Sequence, residues 1–111
     1  MKIDKFEKTV VEALEKIKII LTIKNKEYVR GEDVFHNFEN AKKISLHTTR
    51  EAVAWEFMVK HLQSLKDIVN DVEKDKHYYL KQGLIDEKCI DIINYTLIIR
   101  AMLLNRIEEE K

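Results

Sequence analysis

The chain has 111 residues, 45% of them hydrophobic, and its 20 basic side chains are balanced by 20 acidic ones. That length holds one domain, residues 1–111, and zero net charge argues against a strongly basic nucleic-acid binder while leaving self-association unopposed. With no proline, two glycines and one cysteine, the chain has no internal disulfide and reads as all-helical.

The opening stretch MKIDKFEKTVVEAL alternates charged with apolar residues and does not read as a secretory signal. The first helix is expected over Asp4–Lys26. Phe6, Val10, Ala13, Leu14, Ile17 and Leu21 follow at spacings of three and four and make a core stripe. Ile19, Ile20 and Ile23 widen that stripe toward the C-terminal end, which suggests more than one packing partner. In the following KNKEYVRGED, Gly31 is the expected break. Lys24, Lys26 and Arg30 crowd around Tyr28, and basic groups beside an aromatic ring suit a phosphate and a base. A solvated helix end has the same composition.

A short helix is expected over Val34–Lys43, with Val34, Phe35, Phe38 and Ala41 inward. Asn37 interrupts the aromatic pair Phe35 and Phe38, as a ligand contact or as a polar edge. Thr48 and Glu51 fit a capping box that starts the third helix, which runs to about Val72. Its inner line is Ala54, Met58, Leu62, Leu65, Val69 and Val72, flanked by Trp55 and Phe57. Projected backwards, that line also makes Glu51 an inward-pointing acid, although the cap accounts for it fully. His61 borders the core face and has no partner at metal-ligand spacing within the helix, His36 reads as a surface or hydrogen-bonded residue, and His77 as exposed. Residues 70–83 read as a helix end and a polar loop closed by Gly83, with Tyr78, Tyr79 and Leu80 docking it.

The last helix, Leu84–Leu104, organises the rest. From Cys89 onward it is apolar on nearly every side, as in a central core helix or an oligomer seam. Cys89 itself reads as a small core residue. Arg100 interrupts the Leu97–Leu104 run, which is too short to span a bilayer. Glu87, Asp91 and Asn94 stand one above another on one face, and the same line continues into Ile98 and Met102. Two acids and an amide at the mouth of a helical core suit a divalent cation or a polar ligand. An ordinary first-turn preference for acids covers Asp86 and Glu87 but not Asp91.

Three pieces together carry a resemblance: KNKEY (Lys24–Tyr28), VFHNF (Val34–Phe38) and EKCIDIINY (Glu87–Tyr95). The pattern resembles small phage and bacterial nucleotide-modification-associated domains. These in turn are similar to the all-alpha MazG and dimeric dUTPase-type nucleoside triphosphate pyrophosphohydrolases. The resemblance covers roughly residues 10–105. It implies a MazG-like bundle that dimerises, with acids on two adjacent helices binding magnesium that bridges phosphates and activates water. Glu87 and Asp91 match the catalytic and metal-binding acids of the last motif, and Asn94 its amide. The other of these two helices, the third in the chain, departs from the pattern. No Glu-x-x-Glu pair follows Thr48, since Glu51 and Glu56 point about 140° apart. The related phage domains carry an Asp-Lys pair in that helix, whereas here Val59 precedes Lys60.

Three classes of function follow. The first is a magnesium-dependent nucleotide pyrophosphohydrolase in which Glu87 and Asp91 act, with Glu51 a further metal ligand. The second is a nucleotide-binding protein without turnover. The third is a structural or protein-interaction bundle of phage origin. In the first two, Lys24, Lys26, Tyr28, Asn37, Lys60 and Asn94 contact the ligand. The expected partners are a nucleotide and a second copy of the chain, most simply in a dimer, with no membrane and no strong nucleic-acid binding. The expected setting is cytoplasmic, host cytoplasm if phage-encoded. The fold is expected to be an all-α bundle of three long helices and one short one.

Overall fold

The computed structural model describes the backbone of residues 1–28 and 33–110 and the side chains of residues 1–23 and 33–110. It contains four helices and, among the described residues, no strand: α1 (Ile3–Tyr28), α2 (His36–Ala41), α3 (Arg50–Glu73) and α4 (Gln82–Glu109). This is the expected all-α architecture of three long helices and one short one.

Helix α3 starts one residue later than the capping box requires. Thr49, with extended φ and ψ of −125° and 149°, is the N-cap, and its Oγ1 accepts from the Ala52 N–H at 3.2 Å. The Thr48–Glu51 reciprocal cap is therefore not formed, and the Glu51 carboxylate is available for another partner. At its other end α3 stops without glycine. Asp75 takes a left-handed φ of 55°. The Asp75 N–H then bonds the Val72 carbonyl at 3.1 Å and the Lys76 N–H the Asp71 carbonyl at 2.8 Å, the paired bonds of a Schellman stop. The Tyr79 hydroxyl donates to the Asp71 carboxylate and ties the following loop back to α3. That hydrogen bond, with smaller help from burial, pushes the phenol pKa up to about 12. Tyr78 does not dock as expected and is exposed.

Gly83 does not close the loop either; it lies in the first turn of α4, behind the extended N-cap Lys81. First-turn N–H groups lack helical acceptors in any case, so a poor helix former costs little there. A Cβ at Gly83 would meet nothing within 4 Å, so packing does not demand glycine. Gly31, the other expected break, lies outside the described residues.

Helices α3 and α4 form the main packing pair and run antiparallel. Glu51 meets Arg106 near one end, and His61 meets Asp91 nearer the other. Helix α1 runs alongside α4 in the same direction, joined by the Lys16–Asp86 ion pair at 2.5 Å. Because Asp86 is so near the start of α4, the part of α1 before residue 12 or so projects past it, and residues 1–12 are all exposed. Helix α2 lies on α3, with Phe38 and Phe57 rings 6.2 Å apart. Among the described residues the buried apolar core is small: Ile17 from α1, Val53, Ala54 and Met58 from α3, and Ile90 and Met102 from α4.

The buried side of α3 is turned about 60° from the expected inner line. Arg50, Ala54, Phe57 and His61 face the packed side, while Leu62, Val69 and Val72 are exposed. Arg50 is buried on the packed face, and His61, expected at the border of the core face, lies on it half-buried. On α1 only Ile17 of the expected stripe is buried, and Phe6, Val10 and Leu14 are exposed. Among the described residues no helix is long and apolar enough to cross a membrane.

Candidate functional site

The Glu87–Asp91–Asn94–Ile98–Met102 line on α4 runs from water into the core as its pattern implies. Glu87 is exposed, Asp91 half-buried, Asn94 3% exposed and Met102 fully enclosed. A cleft of about 450 Å³ opens against the middle of this line. Among the described residues its walls come from Leu21 of α1, the segment Val34–Phe38, Phe57 of α3 and the Asn94–Ala101 part of α4. That size and its largely apolar lining are typical of a small-molecule pocket.

The aromatic rings of this region form a connected run. Phe38 meets Phe57, Phe57 meets Tyr95 edge-on at 6.4 Å, and Tyr95 stacks on His61 at 5.4 Å. These spacings suit aromatic pairs and fix the walls of the cleft. Asn94 stands among them with neither Nδ2 nor Oδ1 hydrogen-bonded among the described residues. Leaving a buried amide unpaired costs about 1–3 kcal/mol. Asn37 is exposed at the rim of the same cleft. The structure therefore brings together two residues singled out from the sequence, Asn37 and Asn94.

The carboxylates are arranged differently. Asp91 Oδ2 lies 3.6 Å from His61 Nδ1. Glu87 faces solvent, 3.7 Å from Lys88 Nζ. Glu51 is held by Arg106 through two hydrogen bonds of 2.9 and 3.1 Å. Arg106, and Arg50 on the other side, keep its carboxyl below the usual value of 4.5. Arg106 is about 22 Å along α4 from Asp91, so Glu51 does not join Asp91 and Glu87. Among the described residues no three His, Cys, Asp or Glu side chains gather as metal ligands. Lys60 is exposed on α3 and does not line the cleft. The side chains of Lys24, Lys26 and Tyr28 lie outside the described residues.

Next to the cleft is a second polar cluster that spacing did not disclose. Arg50 is 8% exposed, with its guanidinium 4.6 Å from the Phe35 ring centre, 3.5 Å from Glu39 and 3.2 Å from Glu51. Its Nε is close to Glu51 but off the hydrogen-bond line, so this contact is ionic. Phe57 and Tyr95, the shared wall of the cleft, were not singled out as site residues. They sit on different helices, and each alone looks like core.

No protein-family model matches the chain, and neither the curated proteins nor the solved structures contain a match to it.

Proposed function

We propose that the chain is a nucleotide-type binding protein that holds a flat ligand in the aromatic cleft without turning it over, and that it works as a homo-oligomer. The observation that carries the reading is the buried, unpartnered amide of Asn94 on an aromatic-walled cleft. An amide offers one donor and one acceptor side by side. A ring edge with an adjacent acceptor and donor, as every nucleobase has, satisfies both at once. The flanking rings supply stacking and apolar contact for the base plane. Binding rather than catalysis is the better-supported part, because no carboxylate, histidine or lysine is among the cleft's described lining. The resemblance to nucleotide-modification-associated domains supports the same ligand class.

Calorimetric titration with nucleosides and nucleotides, with and without magnesium, tests this. Wild type is expected to bind at least one base, and Asn94→Leu to weaken that binding by about tenfold or more, the loss of a paired hydrogen bond. Absence of binding by the whole panel, or equal binding by Asn94→Leu, would overturn the reading. Pyrophosphate release from a triphosphate would replace it with the hydrolase class.

A further inference from the structure

We propose that α1 pairs antiparallel with α1 of a second copy of the chain, through the face carrying Val11, Leu14, Glu15, Lys18 and Ile19. This rests on reading the chain as a homo-oligomer and names the seam. The first observation is surface. The chain exposes 8712 Å², whereas a compact monomer of its mass exposes about 6,400 Å². Its radius of gyration is 16.6 Å against about 13 Å for a compact domain of this length. The excess is larger than the roughly 800 Å² that each partner of a standard interface buries.

The second observation locates apolar area on α1. Val11, Leu14, Ile19 and Ile23 are each 50–59% exposed. Round the helix from Ile17, the residue that α1 buries against the body, Leu14 lies at about 60°, Lys18 and Val11 at about 100–120° and Glu15 and Ile19 at about 160–200°. The face therefore begins beside the packed one and turns away from it.

The third observation selects the occupant. About a point between Lys16 and Ile17, apolar Leu14 mirrors apolar Ile19 and acidic Glu15 mirrors basic Lys18, while Val11 mirrors Thr22. Antiparallel pairing centred there sets Leu14 level with Ile19 of the second copy, and Glu15 level with Lys18 of the second copy, each twice by symmetry. Among the described residues neither Glu15 nor Lys18 has an ion-pair or side-chain hydrogen-bond partner within its own chain. Parallel pairing would set Glu15 against Glu15 and Lys18 against Lys18, which is repulsive. The competing exposed stripe, Ile93, Leu97, Leu104 and Ile107 on α4, is centred on Arg100. Symmetric antiparallel pairing there would set that charge against itself. A two-fold contact of this kind is self-complementary by construction.

The test is sedimentation equilibrium of the full chain at concentrations up to about 100 µM, where a standard-size contact is populated. Circular dichroism of each variant checks that it is folded. Wild type is expected to be a dimer. Leu14→Glu should weaken the dimer about tenfold or more, and Glu15→Lys or Lys18→Glu alone should weaken it less. The double reversal Glu15→Lys with Lys18→Glu should restore it, and Leu97→Glu on α4 should leave it intact. A wild-type monomer would overturn both the oligomer and its seam. A dimer that survives Leu14→Glu would overturn the seam alone. Failure of the double reversal to restore the dimer would overturn the antiparallel register.

Discussion

Arg50 and Asn94 are both polar and both buried, and each has side-chain atoms without a hydrogen bond among the described residues, but the fold surrounds only the first with groups that answer its charge. Arg50 lies between the carboxylates of Glu39 and Glu51 and over the Phe35 ring. Its charge is answered from three sides within the chain, and the same contacts bind α2 and the start of α3 together. Asn94 lies among apolar and aromatic neighbours that offer its amide no hydrogen bond among the described residues. Burying a polar group is ordinary when the fold supplies its partners. The first residue is architecture, and the second is the one that the proposed ligand would satisfy.

The largest expected effect comes from breaking the Arg50 side of this contrast. Arg50→Ala removes the cation from between two acids and should lower stability by about 3 kcal/mol. Arg50→Met should lose less, because it removes the charge but keeps an apolar stem of similar length in the buried site. Urea unfolding of the two variants separates the charge from the packing of the stem. Equal losses would mean that the charge, which both variants lack, and not the packing of the stem accounts for the stabilisation.

The Asn94 side should move in the reverse direction. Asn94→Leu replaces an unpaired buried amide with an apolar group of similar size and should raise stability by about 1 kcal/mol. Thermal unfolding reads this as an increase of about 3–5 °C. A gain in stability together with a loss of binding is the mark of a functional residue. A fall in stability would show that the amide is part of the architecture after all.

The smallest effect concerns pH. The carboxyl of Glu51 is lowered chiefly by its hydrogen bonds from Arg106. A lowered folded value means that its contribution is complete above the ordinary 4.5 and is lost as pH falls through the folded value. The stability of the wild type should therefore drop more steeply below that point than that of Glu51→Gln. Superimposable acid unfolding profiles would show that the pair contributes nothing in solution.

Periodicity reached the helices, because four amphipathic or apolar runs without proline admit little else. It reached less of their rotation. Arg50 and His61 are acceptable on the packed face of α3 only because Glu39, Glu51 and Phe35 surround the first, and Asp91 and Tyr95 the second. None of those partners is visible from α3's own sequence. The descent of Glu87, Asp91 and Asn94 into the core was legible, since it depends on one helix alone. Whether Glu51 meets Asp91 or Arg106 depends on how two helices are aligned along each other, and local spacing does not encode that. The aromatic wall was hidden for the same reason: Phe38, Phe57 and Tyr95 come from three helices and converge only on folding.

The unanchored amide of Asn94 also bears on selectivity. With no hydrogen bond to hold one orientation, rotation by half a turn exchanges its donor and acceptor at little cost. On the proposed reading, a ring edge is then accepted in either order, donor before acceptor or acceptor before donor. Such a reader distinguishes flat rings from other shapes far better than it distinguishes one ring from its mirror-ordered relative. A panel of bases should therefore rank by size and stacking area more than by hydrogen-bond sequence, which is how a generalist behaves.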